Sequence, residues 1–237
     1  MGSETRKIPV SRFSGSKREK AEDDVVREYH LTIILNDHDM ITLPCSPLDI
    51  DSLAVGYLIS EGCIQDKSEI RNILVHEEKG SIRIETDNAG VVPSKLPVIS
   101  IDFDYKISSD EVYGLMDKFV RRSEVFEATG GVHSAALCDR RDIIVFKDDI
   151  GRNNAVDKLF GECILKDISL EERVVILSCR MSSEILYKIV RRRIPVIISK
   201  SPPTDYGVKL ADEMGITLLG FVRGKRMNAY AHDWRIT

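Results

Sequence analysis

Apolar and polar positions fall into three regimes along this chain. Residues 1–24 are rich in Lys, Arg, Glu and Ser and show no apolar period, which reads as a mobile arm. Apolar character then rises. Residues 25–35 form one strand-like run, Asn36-Asp37-His38-Asp39 a turn, and residues 40–45 a second strand, making a hairpin. Past Pro47, Asp49-Ile50-Asp51 marks a helix start with acidic residues in the first turn. Leu53, Gly56, Tyr57 and Ser60 continue it at helical spacing until Gly62. A second hairpin is predicted from residues 70–77, a Lys79-Gly80 turn and residues 81–86, where Ile82 and Ile84 alternate with polar positions. Residues 88–97 read as loop.

From Ser108 onward the rhythm changes. Ser108 caps a helix predicted to run to about residue 125, with Val112, Leu115, Met116, Phe119 and Val120 as its apolar face. Thr129-Gly130-Gly131 breaks it. Short apolar strands are then expected at 132–137, 142–147, 173–178, 195–199 and 216–222, with helices at 154–164, 182–192 and 205–214. Strands alternating with helices of about ten residues imply crossover connections and a largely parallel sheet covered on its faces. The chain thus divides into an arm (1–24), a smaller N-terminal α+β domain containing hairpins (25–107) and an α/β core (108–237).

Composition narrows the class. The chain has 237 residues, 43% hydrophobic and 30% charged, enough apolar material for a sizeable core. Its net charge of −4 argues against a generally basic nucleic-acid binder. That sum conceals segregation. Residues 25–110 hold seven Lys/Arg against fifteen Asp/Glu, net −8, while residues 180–226 hold ten against four, net +6. A basic C-terminal segment suits an anionic ligand such as a phosphate, or simply a solvated helix face around Arg191, Arg192 and Arg193. No run approaches the roughly 18 apolar residues of a membrane span, and the N-terminus lacks an apolar leader segment. The expectation is a soluble cytoplasmic protein with no membrane or nucleic-acid partner.

Five cysteines (Cys45, Cys63, Cys138, Cys163, Cys179) are spread widely, with at least fifteen residues between neighbours and no C-x-x-C. That spacing supports neither a disulfide framework nor a zinc ribbon, and reduced thiols are expected. No metal site is expected.

In open α/β sheets, ligands collect at the carboxyl ends of strands. Several polar segments fall there: Thr129-Gly130-Gly131-Val132-His133-Ser134, Asp148-Asp149-Ile150-Gly151-Arg152-Asn153-Asn154, Ser178-Cys179-Arg180-Met181-Ser182-Ser183, Ser199-Lys200-Ser201-Pro202-Pro203-Thr204 and Phe221-Val222-Arg223-Gly224-Lys225-Arg226. Backbone N–H groups at Gly130-Gly131, the His133 imidazole, and hydroxyls beside helix N-termini are suited to holding an anion. A turn, a structural histidine and helix-start charges would account for each segment singly. Together they describe a binding crevice without naming a reaction.

Four motifs taken in order resemble the FdhD/NarQ family, the formate dehydrogenase accessory sulfurtransferases. They are Gly56-Tyr57-Leu58-Ile59-Ser60-Glu61-Gly62, Thr129-Gly130-Gly131-Val132-His133-Ser134-Ala135-Ala136, Asp149-Ile150-Gly151-Arg152-Asn153-Asn154-Ala155-Val156-Asp157-Lys158 and residues 221–226. The resemblance covers residues 25–230. It implies a three-layer α/β/α cytidine-deaminase-like core. It also implies transfer of sulfur from a cysteine desulfurase to the molybdenum bis(molybdopterin guanine dinucleotide) cofactor of formate dehydrogenase, with GDP-like molecules as simpler ligands. The family's cofactor-binding segment matches Phe221, Val222, Arg223, Gly224, Lys225 and Arg226. Thr129, Gly130, Gly131, His133, Asp149, Gly151, Arg152 and Asn153 are the expected remainder of the cofactor site, and a homodimer is implied. Arg pairs two phosphate oxygens with its fork, Gly224 admits close backbone approach, and Phe221 offers a ring.

Two positions depart from the family pattern. Its Cys-Gly-x-Cys-Gly segment ahead of Thr-Gly-Gly has no counterpart, since residues 91–107 contain no cysteine, and its usual His in the third motif is Asn153. Sulfur relay needs a nucleophilic thiolate. Cys138, shortly after His133, and Cys179, beside a predicted helix N-terminus, are the candidate substitutes. The alternative is a cofactor carrier or chaperone that is never persulfidated. A zinc nucleobase deaminase, the other activity such a fold suggests, needs H-x-E and P-C-x-x-C motifs that are absent, so no zinc is expected.

Overall fold

The computed structural model describes residues 4–87, 101 and 104–237; the loop expected at 88–97 lies outside them. The predicted arm is instead a two-stranded ribbon, β1 (Thr5–Ser14) and β2 (Lys17–Val26), antiparallel from Thr5↔Val26 to Ser14↔Lys17 and turned at Gly15, φ +61°. Both faces of this ribbon are largely solvated, so its strands need no apolar alternation and leave no trace in hydropathy. At its base Arg27 N–H donates to Glu4 O, and Val26 packs on Gly131, where a Cβ would come within 2.7 Å of Val26 Cγ1.

The expected first strand begins late, after the ribbon has turned off at Val26. The next elements are β3 (Tyr29–Leu35), β4 (His38–Cys45), α1 (Ile50–Ser60), β5 (Ile70–His76) and β6 (Ser81–Thr86). The two predicted hairpins combine into one four-stranded sheet, β4-β3-β6-β5, because β3 and β6 pair in parallel at its centre. Leu31, Ile33, Leu35, Ile82 and Ile84 point to one face, which α1 covers.

In the second half, the helix expected to reach residue 125 is two helices. α2 (Ser109–Val120) starts in a capping box, with Ser108 Oγ accepting from Glu111 N–H (3.2 Å) and Glu111 Oε2 from Ser108 N–H (2.6 Å). Ser123 then caps a separate short helix, α3 (Glu124–Thr129), which ends at Gly130 in the left-handed region. There follow β7 (His133–Cys138), β8 (Ile143–Asp149), α4 (Arg152–Leu165), β9 (Val174–Leu177), α5 (Ser183–Val190), β10 (Val196–Ser199), α6 (Asp205–Glu213), β11 (Thr217–Arg223) and β12 (Arg226–Ala231).

These strands form one six-stranded sheet in the order β12-β11-β10-β9-β7-β8. Only β9, β10 and β11 are mutually parallel; β7, β8 and β12 run antiparallel to their neighbours. The expected largely parallel sheet is therefore mixed, because β7–β8 and β11–β12 are joined by tight turns rather than by helices. Strand residues alternate between two cores. Ala135, Leu137, Val175 and Leu177 face the core that includes residues of α4, α5 and α6, whereas Ala136, Cys138, Val174 and Ile176 face α2. Helix, sheet and helix thus make three layers. No helix among the described residues is long and apolar enough to cross a membrane.

Candidate functional site

The parallel strands β9 and β10 end at Leu177 and Ser199, and β7 begins beside them at His133. Ser178 closes this junction: its N–H donates to Ser134 O (3.0 Å) and its hydroxyl accepts from Ser134 N–H (2.8 Å). The same hydroxyl lies 3.5 Å from His133 Nδ1. Ser201 Oγ in turn donates to Ser178 O (2.9 Å). Over this floor opens a crevice of about 260 Å3, lined by Phe126, Gly130, Gly131, Val132, His133, Ile150, Ser178 and Lys200.

One wall is α3 with its C-terminal glycines. Ser123 holds that helix down, accepting Phe126 N–H and donating to Asp148 Oδ2 (2.5 Å). Thr129 Oγ1 accepts from Gly131 N–H (3.0 Å), so Thr129 shapes the Gly130-Gly131 turn rather than facing the crevice itself. On the opposite wall the Lys200 ammonium sits 4.6 Å from the centre of the Phe126 ring. Arg223 extends from the tip of the β11–β12 hairpin and donates to Lys200 O (3.4 Å).

The crevice is electropositive. Burial lowers the pKa of His133 below its ordinary 6.5, and Arg152, Lys200 and Arg180 lower it further, so the imidazole is neutral at pH 7. Among the described residues no carboxylate pairs with Arg152, Arg180 or Lys200. Solvated cations thus surround a neutral imidazole, an arrangement whose field suits an anion.

The predicted segment at 221–226 is a β-hairpin rather than a strand end. Phe221 sits in a bulge with φ +55°, Val222 is buried in the α2-side core, and Arg223, Gly224, Lys225 and Arg226 are exposed around the turn. Arg152 opens α4 toward the crevice. Asn153 instead reaches α5, where its amide donates to Glu184 Oε1 (2.7 Å). Ser178 and Lys200 belong to strand-end segments that the sequence had marked, but neither was singled out as a site residue. Phe126 was missed, because a phenylalanine in a predicted helix carries no signal that the helix will break and turn it toward a crevice.

Asp149 corrects the expectation more sharply. It is fully buried and does not face the crevice. Lys158 Nζ (2.7 Å) and Ser46 N–H (3.0 Å) bind its Oδ2, while Asn154 Nδ2 (2.9 Å) and Gly151 N–H (2.8 Å) bind its Oδ1. Gly151 is required for this packing: a Cβ there would lie 2.7 Å from Asn154 Nδ2. Both residues therefore hold the chain together at the seam between α1 and α4. Two turns on, Asp157 accepts from Ser60 Oγ (2.7 Å) and pairs with Lys188 (2.6 Å), and Arg191 donates to Ser60 O. The helices cross backbone to backbone. A Cβ on Gly56 would sit 1.9 Å from Asp157 O, and one on Gly161 1.8 Å from Ser52 O.

The candidate thiols lie away from solvent. Cys138 ends β7 opposite Val174, the first residue of β9, and is thus at the far end of the sheet from His133. Burial and the carboxylates of Asp139 and Asp142 push its thiol up to about 12. Cys179 does adjoin the crevice, following Ser178, but it is 4% exposed and lies before α5 starts. Burial pushes it up to about 11 despite the opposing pull of Arg152 and Arg180. Burial likewise raises Cys45 and Cys163 to about 12, and raises Cys63. Among the described residues no group of three His, Cys, Asp or Glu side chains is placed to hold a metal ion.

Comparison with known proteins gives a consistent result. The profile of the FdhD/NarQ family matches residues 26–95 and 88–237. The chain is 33% identical over 259 residues to a sulfur carrier protein FdhD of Geobacillus kaustophilus, covering 99% of this chain and 98% of the relative. It is 35% identical over 254 residues to the Bacillus subtilis sulfur carrier protein FdhD, covering 96% and 95%. A crystal structure from Desulfotalea psychrophila, described as a formate dehydrogenase accessory protein, superimposes with a TM-score of 0.89 at 27% identity, over 99% of this chain and 100% of that one. The chain belongs to the FdhD/NarQ family.

Proposed function

We propose that this chain serves formate dehydrogenase by holding the molybdenum bis(molybdopterin guanine dinucleotide) cofactor as cargo while sulfur is added to it, in a cytoplasmic setting and as a homodimer. The observation that carries the reading is the set of solvated cations, Arg152, Arg180, Lys200 and Arg223, around His133 at the carboxyl end of the sheet. The residues present suit the cargo's nucleotide end. Guanidinium forks and an ammonium match phosphate oxygens, and Phe126 and Phe221 supply apolar rings beside them. The three-layer sheet with its crevice at one end supports the cytidine-deaminase-like description of the core.

Sulfur supplied by a cysteine desulfurase needs a thiol on this chain, and Cys179 is the cysteine adjoining the crevice. The second reading, cargo binding without a persulfide, is favoured by the elevated pKa of every thiol described above, since the thiolate is the nucleophile.

Titration calorimetry with GDP tests the site. Lys200→Ala and Arg223→Ala are each expected to weaken binding roughly tenfold, the loss of one charge-assisted contact; affinity unchanged from the parent in both variants overturns the assignment. Incubation with a desulfurase and labelled cysteine, followed by mass spectrometry, separates the two readings. Label on Cys179 supports relay, and formate dehydrogenase activation without label on any cysteine supports the carrier.

A further inference from the structure

A second cavity, of about 570 Å3, lies at the opposite end of the six-stranded sheet from the crevice. Its walls are the two loops that lead into the amino ends of the adjacent parallel strands β9 and β10. Ser169, Leu170, Glu171 and Glu172 come from the first loop, Arg192 and Arg193 from the second. The first loop is folded on itself by Glu171 N–H donating to Ser169 Oγ (3.3 Å) and Arg173 Nε donating to Ser169 O (3.2 Å). The second is pinned to the end of α5 by Arg192 N–H to Ile189 O and Arg193 N–H to Val190 O, both 2.9 Å.

Two features set this cavity apart from an ordinary polar surface. Its acidic and basic side chains face a common space, yet among the described residues none of the four forms an ion pair with another. Arg192 is half-buried, and its enclosed Nη2 has no hydrogen-bond partner. The carboxylate nearest to it in effect, Asp157, is already engaged by Lys188 and Ser60. Further, Glu172 and Arg193 hold their backbones at φ +53° and +57°. Arg193, two residues past the α5 C-cap at Arg191, adopts the left-handed conformation that glycine favours. Both positions therefore carry a long charged side chain where folding alone would prefer none.

We propose that this cavity binds a zwitterion of the α-amino acid or short-peptide class, its carboxylate on Arg192 and Arg193 and its ammonium on Glu171 and Glu172. The volume falls within the range of about 300–1,000 Å3 usual for small-molecule sites. Opposite charges on two adjoining loops favour a ligand carrying both signs over one carrying either alone, because the single-charged ligand leaves the other loop unmatched. The site is independent of the crevice and of its cargo.

Calorimetry on the full chain with L-alanine and trialanine as probes tests this, with propionate and alaninamide as analogues lacking one charge. At least one of the two zwitterions is expected to bind, and each analogue to bind roughly tenfold more weakly or not at all. Trialanine binding more tightly than alanine identifies the peptide as the source, and the reverse order the free amino acid. Glu172→Gly and Arg193→Gly are expected to melt at or above the parent temperature while losing roughly tenfold in affinity, so lost binding is not lost fold. Lys200→Ala, in the crevice, is expected to bind the zwitterion as the parent does. The proposal is overturned if neither zwitterion binds, if the analogues bind equally well, if the glycine variants bind like the parent, or if those variants melt lower.

Discussion

His133 of β7 and Asp149 of β8 are direct partners across one antiparallel pair, yet they live in different environments. His133 opens onto the crevice among cations that form no ion pair with a carboxylate among the described residues. Asp149 is sealed in the α1–α4 seam, where Lys158, Ser46, Asn154 and Gly151 supply four contacts to its two oxygens. Desolvation accounts for the contrast. A buried carboxylate without partners is costly to keep, and the seam pairs Asp149 with Lys158 and Asp157 with Lys188. The crevice charges stay in contact with water and can await a ligand. Polar residues of two neighbouring motifs therefore divide into those that bind the chain to itself and those left open to solvent.

The contrast is most directly broken at the helix crossing. Gly161→Val sets a side chain against Ser52 O, and the expected cost exceeds about 3 kcal/mol, read as loss of the cooperative thermal transition by circular dichroism. A normal melt would show that α1 and α4 can separate freely.

Asp149→Ala leaves Lys158 buried without its counter-charge and is expected to cost about 3–5 kcal/mol in urea unfolding. The double variant Asp149→Leu with Lys158→Met should regain much of that loss. If instead Asp149→Ala folds normally and abolishes GDP binding, Asp149 belongs to the crevice after all.

Ser60→Ala removes a hydrogen bond to the buried Asp157 carboxylate, with an expected cost of about 1.5–3 kcal/mol and unchanged GDP affinity. Arg180→Ala and Lys200→Ala should reverse that pattern, shifting stability by no more than about 0.5 kcal/mol while weakening GDP. Equal effects on folding from both groups would erase the distinction.

The smallest effect concerns pH. His133 titrates below 6.5 in the folded chain, so as pH falls through 6.5 the unfolded chain takes up the proton first. Its contribution to stability is full above that pH and declines as pH falls toward the folded-state value. His133→Gln should flatten this part of the curve of Tm against pH, and an identical slope in the variant would place the titration elsewhere.

Much of the crevice was legible before any coordinates. Thr129-Gly130-Gly131-Val132-His133 broke a helix and opened a strand, and Ser178 and Lys200 stood at strand ends. The seam was not legible. Gly56 and Gly161 look like ordinary helical glycines until another backbone is found against them, and Asp149 in a strand-to-helix turn has the outward marks of a ligand-binding carboxylate. The ribbon β1–β2 escaped detection for a different reason, since strands solvated on both faces need no apolar alternation. The alternation of strands and helices suggests a largely parallel sheet, whereas β7–β8 and β11–β12 are joined by tight turns and make it mixed.

The sequence by itself determined what short-range periodicity controls: the main strands and helices of the core, the Ser108 cap, the glycine turn at the crevice, the lack of a C-x-x-C and the basic C-terminal segment. The tertiary structure alone decided which polar residues lose contact with water. Burial is set by partners far apart in the chain, such as Ser46 and Asp149, 103 residues apart, or Ser60 and Asp157, 97 apart. Local pattern carries no information about those meetings, and the cost of desolvation makes them decisive for which charges remain open to a ligand.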